Sequence, residues 1–173
     1  RHKNNEITLS KEEFEELKKW IINPKIPYEE SLFVREFRPN SGIDISDGLS
    51  IDLYKICEES DVGIKLDLEK IPVHPLISYF SSLEAISPYK FVFNIGGDWQ
   101  IIFTLPKERA RILEERKNHL FPIAIGEITR ESRGNVELFS SRKHMGTLKR
   151  RGHIYEFERK SFIEEIKEWI EKD

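Results

Sequence analysis

The sequence predicts an α/β (α+β) fold, with one sheet backed by helices in a single domain. Stretches with helical spacing interleave with short apolar runs of strand length, a layered pattern. The chain has 173 residues, 38% hydrophobic and 34% charged. That is long enough to bury a real core and short enough for one domain with appendages.

The elements follow in order. Ser10-Lys11-Glu12-Glu13 is a capping-box pattern, and Phe14, Leu17, Trp20 and Ile21 continue it at helical spacing. Pro24 and Pro27 end that helix and begin an extended connection. Tyr28 to Arg38 reads equally as helix or irregular chain. Ile43 to Ser46 reads as a short strand, followed by a helix to about Ser60 with Leu49, Leu53 and Ile56 on one face. Gly63 suits the turn into a strand alternating Ile64, Leu66 and Leu68. A helix is expected from about Pro75 to Ala85. Phe91 to Phe93 and Gln100 to Leu105 read as strands around the turn at Gly96-Gly97. Pro106 then opens a charged helix through about Asn118. Pro122 to Ile128 and Val136 to Phe139 complete the strands, joined through Arg133-Gly134-Asn135. From Ser161 to Ile170 the tail is amphipathic, with Phe162, Ile163, Ile166 and Ile170 on one stripe.

Composition narrows the function classes. A net charge of −3 and a pI near 6.0 leave no global nucleic-acid footprint. Lys149-Arg150-Arg151 reads as a solvated loop rather than a binding patch. The single cysteine, Cys57, excludes an internal disulfide framework and fits a reducing cytoplasm. It falls on the apolar side of its helix, so it is expected in the core rather than as a nucleophile. No stretch reaches the length of a membrane span and no signal peptide is visible, so neither nucleic acid nor membrane is expected as a partner.

The candidate site is Gly42-Ile43-Asp44-Ile45-Ser46-Asp47-Gly48-Leu49. Two carboxylates flank a hydroxyl where a short apolar segment gives way to a helix. Magnesium takes oxygen ligands, commonly one or two carboxylates with phosphate oxygens and water. Asp44 and Asp47 are therefore candidate magnesium ligands. The Ser46 hydroxyl and the N–H groups at the helix start could face a phosphate. In a strand, Asp44 and Ser46 would share one face, with Ile43 and Ile45 on the other. The same residues also suit simple N-capping, with Gly48 easing the turn. Gly96-Gly97-Asp98 is a flexible turn ending in a carboxylate, and as a hairpin Asp98 need only cap its own backbone. His74, His119 and His144 show no metal-ligand spacing and read as structural.

D-I-S-D-G-L from Asp44 to Leu49, followed by Asp52, Leu53 and Ile56, resembles the thiamine-monophosphate kinase family. That family belongs to the aminoimidazole ribonucleotide synthetase superfamily. Further stretches match in the same order: Ser60 to Asp67, Ile71-Pro72, Gly96 to Thr104, Ile125 to Ile128, and Gly152 to Phe157, G-x-x-x-x-F here, which resembles the family's terminal G-x-x-x-F. The resemblance runs from about Pro24 to Phe157.

It implies the C-terminal α/β domain of the superfamily, a mixed sheet with helices packed on one face. Residues 1–173 would be one such domain, with its core at about 24–157 and flanking helices at about 10–23 and 160–171. The family's N-terminal domain, which holds an acidic metal cluster, would lie outside this chain. The implied activity is transfer of the ATP γ-phosphoryl to thiamine monophosphate, giving thiamine diphosphate. Mg2+ would sit on Asp44 and Asp47, an ATP phosphate would face Ser46, and Asp98 and Tyr155 would line the substrate side. Implied partners are thiamine monophosphate and either the N-terminal domain or a second copy. The isolated chain is expected to be inactive.

The chain also departs from the family pattern. Family glutamates align with Gly97 and Gln100, a tyrosine with Trp99, and the arginine of the family's P-x-P-R is missing after Pro24-Lys25-Ile26-Pro27. Two alternatives stay open on those departures. One is a same-fold paralogue acting on another small phosphorylated substrate. The other is a non-catalytic module that binds nucleotide or serves as a dimer partner. Hydrogenase-maturation and selenophosphate members fit less well, since they lack D-I-S-D-G-L and use cysteine chemistry.

Overall fold

The protein is described here from a computed structural model covering residues 9–23, 26–97, 99–116, 122–152 and 170–171. Helix α1 spans Lys11–Ile22, and its capping box forms as expected. The Ser10 hydroxyl accepts from Glu13 N–H at 3.1 Å, and Glu13 Oε2 accepts from Ser10 N–H at 2.8 Å. The ambiguous segment after Pro27 is helical, α2 at Tyr28–Glu36, and it buries Val34. Strand β1 at Ser41–Asp44 leads through a bend to α3 at Leu49–Ser60. Strand β2 at Gly63–Asp67 follows, then a 3-10 turn at Leu68–Lys70, α4 at Pro75–Glu84 and α5 at Pro88–Asn94. Strand β3 at Ile101–Thr104 and α6 at Lys107–Glu115 come next. The remaining strands are β4 at Gly126–Thr129, β5 at Val136–Ser140, β6 at Lys143–Leu148 and β7 at Ile170–Glu171.

Five strands form a mixed sheet in the order β4-β2-β5-β6-β7, with β2 and β5 parallel and the other neighbours antiparallel. The single sheet anticipated from the sequence is in fact two. Strands β1 and β3 pair separately as an antiparallel ribbon, with Asp44 opposite Ile101 and Ser41 opposite Thr104.

Alternation in β2 decides the layering. Ile64 and Leu66 turn inward with Val136 and Leu138 of β5 and Leu148 of β6, all nearly or wholly buried. Helix α3 covers them with Leu49, Leu53, Ile56 and Cys57. Lys65 faces the other way and meets Glu131 at 2.8 Å. A mixed sheet with helices against its apolar face is therefore what the sequence builds. Phe93 of α5, Ile43 and Ile102 of the ribbon, and Ile45 just beyond β1 pack into the same core.

Several element assignments need correction. Phe91-Val92-Phe93 is helical, not a strand. Ser87 caps α5 by accepting from Tyr89 N–H at 3.3 Å, and Pro88 occupies the first turn. The cap and a stacked Tyr89–Phe93 pair, 6.1 Å apart, override the β-preference of the aromatic run. Leu68 leaves the strand for the 3-10 turn. Strand β4 begins at Gly126 rather than near Pro122. Strand β6, unmarked in the sequence reading, follows a two-residue turn in which Ser141 and Arg142 have φ of 48° and 64°. Both central residues are left-handed, a twist that suits the flanking strands, but without the usual Asn-Gly signature. Ile170 pairs in β7 rather than ending a helix. The rest of the expected tail helix, Ser161 to Trp169, lies outside the described residues.

Candidate functional site

Asp44 closes β1 and is exposed, while Ser46 and Asp47 occupy the bend before α3 and are half-buried. The expected strand through Ser46 stops two residues short. Its ladder continues only through Ile45 N–H, which donates to the Gln100 carbonyl at 2.8 Å. Asp44 is therefore the last strand residue and Ser46 lies in the bend beyond it, so the two do not share a strand face. Gly48 is the N-cap of α3 with φ of 105°, and no side chain caps that helix. The capping role that would have explained Ser46 and Asp47 is thus filled by neither of them.

What Asp47 does instead is bind α3 from the side. Lys55 Nζ donates to Asp47 Oδ2 at 2.5 Å and to Asp52 Oδ1 at 2.8 Å. The other oxygen of Asp52, Oδ2, accepts from Asp47 N–H at 3.1 Å. Asp52 has no exposed surface, so its charge requires this neutralisation. Hydrogen bonding to Asp47, and then to Asp52, raises the Lys55 ammonium pKa above its ordinary value. Sequence reasoning named Asp52 only as part of the motif and missed Lys55 entirely. The signal was an acid–base pair at i and i+3 on one helix, which is also common on plain surfaces.

Three motif segments far apart in sequence meet at this bend. A Cβ on Gly96 would lie 2.0 Å from the Ser46 carbonyl oxygen and 2.7 Å from Gly48 N, so only glycine fits there. Gly97 N–H donates to the Ile45 carbonyl at 3.3 Å. Gly152, the first residue of the Gly152-to-Phe157 stretch, packs closely too, since a Cβ there would lie 2.3 Å from the Asp47 carbonyl oxygen and 2.5 Å from Ile51 Cδ1. The segment leading to it is fastened along α3. Ser50 Oγ donates to the Lys149 carbonyl at 2.7 Å and accepts from Arg151 N–H at 3.3 Å. Tyr54 hydroxyl donates to the Leu148 carbonyl, and Arg150 pairs with Glu58. Arg150 and Arg151 are exposed, consistent with the loop reading of that basic run.

The donor set at the bend is two carboxylates and a hydroxyl, all hard oxygens. Among the described residues no three or more His, Cys, Asp or Glu side chains gather as a metal cluster. Hard oxygens are the donor type that magnesium takes, and magnesium delivered with phosphates needs only one or two protein carboxylates. Gly97 and Gln100, at the positions of the family glutamates, are exposed, and nothing lies within 4 Å of a Cβ built on Gly97. Asp98 and Tyr155, the residues assigned to the substrate side, lie outside the described residues, as do His119, His153 and Phe157. His74 caps α4, its Nδ1 accepting from Leu76 N–H at 3.3 Å, and His144 pairs with Glu137 at 2.6 Å. Both serve structure. Among the described residues no helix is long and apolar enough to cross a membrane.

In fold, the chain joins a class of solved structures with the aminoimidazole ribonucleotide synthetase-like architecture. Thiamine monophosphate kinase from Stenotrophomonas maltophilia superposes with a TM-score of 0.63 at 20% identity, covering 79% of this chain and 42% of the other. AaThiL complexed with AMPPCP and TMP gives 0.61 at 23% identity, covering 79% and 40%. Escherichia coli HypE, a hydrogenase maturation protein, gives 0.58 at 16% identity, covering 74% and 40%.

Sequence selects within that class. Thiamine-monophosphate kinase of Pyrococcus horikoshii is 37% identical over 86 residues, 50% of this chain and 26% of the relative. The Buchnera aphidicola enzyme of the same name is 32% identical over 126 residues, 70% of this chain and 37% of the relative. The chain is thus similar in sequence and fold to part of thiamine-monophosphate kinase. Its matches span only 26% to 37% of the length of these two relatives. No protein-family model matches it.

Proposed function

We propose that this chain is the C-terminal-type domain of an ATP-dependent kinase that converts thiamine monophosphate to thiamine diphosphate in the cytoplasm. The observation that carries the reading is the meeting of the D-I-S-D-G-L turn, Gly96-Gly97 and Gly152 at one bend, in a chain similar to enzymes of that name. The AaThiL structure, complexed with AMPPCP and TMP, supports a nucleotide and a phosphorylated substrate for this fold.

In the reaction, an oxygen of the acceptor phosphate attacks the ATP γ-phosphorus, the bond to the β-phosphate oxygen breaks, and ADP leaves. The acceptor is already ionised near neutral pH, so no general base is needed. Positioning and charge neutralisation carry such a transfer. Asp44 and Asp47 would hold Mg2+, which when bound offsets phosphate charge. Ser46 would face a nucleotide phosphate from the bend, and the family resemblance assigns Asp98 and Tyr155 to the substrate side. The remaining surface of the site comes from an N-terminal domain or a second copy.

Open space at Gly97, where the family carries a glutamate, supports a second reading: a paralogue acting on another small phosphorylated compound. The test is product analysis with ATP, Mg2+ and thiamine monophosphate. The chain is assayed alone and together with the N-terminal portion of a longer relative. Thiamine diphosphate formed only in the combined assay is the expected result. A folded combination that hydrolyses or transfers phosphate to other acceptors, but never to thiamine monophosphate, selects the paralogue. A combination that binds nucleotide without transferring phosphate at all selects the non-catalytic module.

A further inference from the structure

Asp52 and Lys55, which close a ring with Asp47, have no role in the reaction as written above. Asp52 is wholly buried in the first turn of α3, and Lys55 rises one turn later on the same side. One Asp52 oxygen holds the Asp47 backbone N–H at 3.1 Å, and the other shares the Lys55 ammonium with the Asp47 carboxylate. Asp47 is therefore anchored twice to a helix packed into the core, once by its backbone and once by its side chain. Removing the ammonium would leave two carboxylates facing each other, one of them buried, and their repulsion would turn Asp47 away.

We propose that Lys55 is a positioning residue, acting through Asp52 to hold the Asp47 carboxylate ready for a magnesium-bound nucleotide. This rests on the reading of Asp47 as a magnesium ligand. Preorganisation of a ligand by outer contacts is worth roughly tenfold to a hundredfold in metal affinity. A rigid helix is the right place to build it. Alanine or methionine at 55 removes the charge, whereas arginine keeps a cation that reaches both carboxylates. A purely structural ion pair would give both variants the same ligand affinities as the parent.

The experiment is calorimetric titration of the full chain with AMPPCP, with and without Mg2+, for the parent, Lys55→Met and Lys55→Arg. The readout is the ratio of affinity with magnesium to affinity without it. In Lys55→Met the ratio falls by about tenfold or more, with magnesium-free binding changed less than about twofold. Lys55→Arg restores most of the ratio. A ratio kept in Lys55→Met overturns the positioning role, and a larger ratio makes Lys55 a competitor for Asp47 instead. If Lys55→Met does not fold, Lys55→Gln takes its place under the same criteria. A parent that binds AMPPCP with no magnesium dependence sinks the metal reading of Asp47 and the role of Lys55 together. A magnesium-dependent parent with an unchanged Lys55→Met sinks the latter alone.

Discussion

Gly96 and Ser46 are fifty positions apart, yet a Cβ on Gly96 would lie 2.0 Å from the Ser46 carbonyl oxygen. The clash is with backbone, which cannot swing aside as a long side chain can. Two motifs that look independent in the sequence are therefore one packed object.

Gly96→Ala is expected to force the bend outward. Overpacking of this kind costs about 1–3 kcal/mol. Because the displaced atoms belong to Ser46 and Gly48, nucleotide affinity should fall along with stability. Gly97→Ala is the control, because its Cβ meets no atom within 4 Å, although its φ of 84° strains any L-residue. Urea unfolding and AMPPCP titration of both variants check this. Equal nucleotide affinity in the parent and Gly96→Ala would show that the turn and the glycine pair do not share a site.

Asp44 and Asp47 should respond differently to removal. Asp44 is exposed at the end of β1, so Asp44→Ala should leave the unfolding midpoint unchanged. Asp47→Ala also breaks the link to Lys55 and should lower it modestly, an exposed-to-half-buried ion pair being worth about 0–1 kcal/mol. Each should weaken magnesium-dependent AMPPCP binding by about tenfold or more, equivalent to about 1.4 kcal/mol. Normal binding in both variants with an earlier melt would return these residues to a structural role.

Much of this architecture was readable from residue order. The helix from Leu49 to Ser60 and the strand containing Ile64 and Leu66 follow apolar spacing, and both lie where spacing put them. The failures have local causes. Phe91 to Phe93 has strand composition, but Ser87-Pro88 caps a helix and Phe93 finds its place in the core from that helix. Lys143 to Leu148 has little apolar alternation because β6 is held by pairing with β5 and by a turn lacking glycine at its left-handed positions. At the site, the sequence pointed to the bend but not to what fixes it. Asp52 looks like one more helix-surface acid until the fold buries it, and only then does Lys55 acquire a task.

The fastening of residues 148–152 across α3 can be loosened one bond at a time. Tyr54→Phe leaves the buried Leu148 carbonyl without the hydroxyl and should cost about 1–3 kcal/mol. Ser50→Ala removes a donor to Lys149 and an acceptor for Arg151 nearer the bend, with a similar cost. The two differ in ligand binding. Ser50→Ala frees the residues next to Gly152, which packs on Asp47, so AMPPCP affinity should drop in Ser50→Ala and hold in Tyr54→Phe. Urea unfolding paired with titration separates them, and an affinity loss confined to Tyr54→Phe would contradict the arrangement.

Cys57 gives a pH dependence whose direction follows from burial. Desolvation, with a smaller contribution from the nearby Glu58 charge, pushes its thiol pKa up to about 11, from near 9 in an exposed chain. The folded state thus holds the thiol proton more tightly than the unfolded state does. The resulting stabilisation is complete below about pH 9 and fades as pH rises toward 11, where the unfolded chain gains by ionising first. Cys57→Ala removes that part while adding a cavity cost that does not depend on pH. The stability advantage of the parent over Cys57→Ala should therefore shrink between pH 9 and 11, measured by urea unfolding at several pH values. Iodoacetamide should label the folded parent slowly near pH 8 and the urea-unfolded chain quickly, since the thiolate is the nucleophile. A parent–variant difference that stays flat across this range, with rapid labelling of the folded protein, would place Cys57 outside the core that the site is built on.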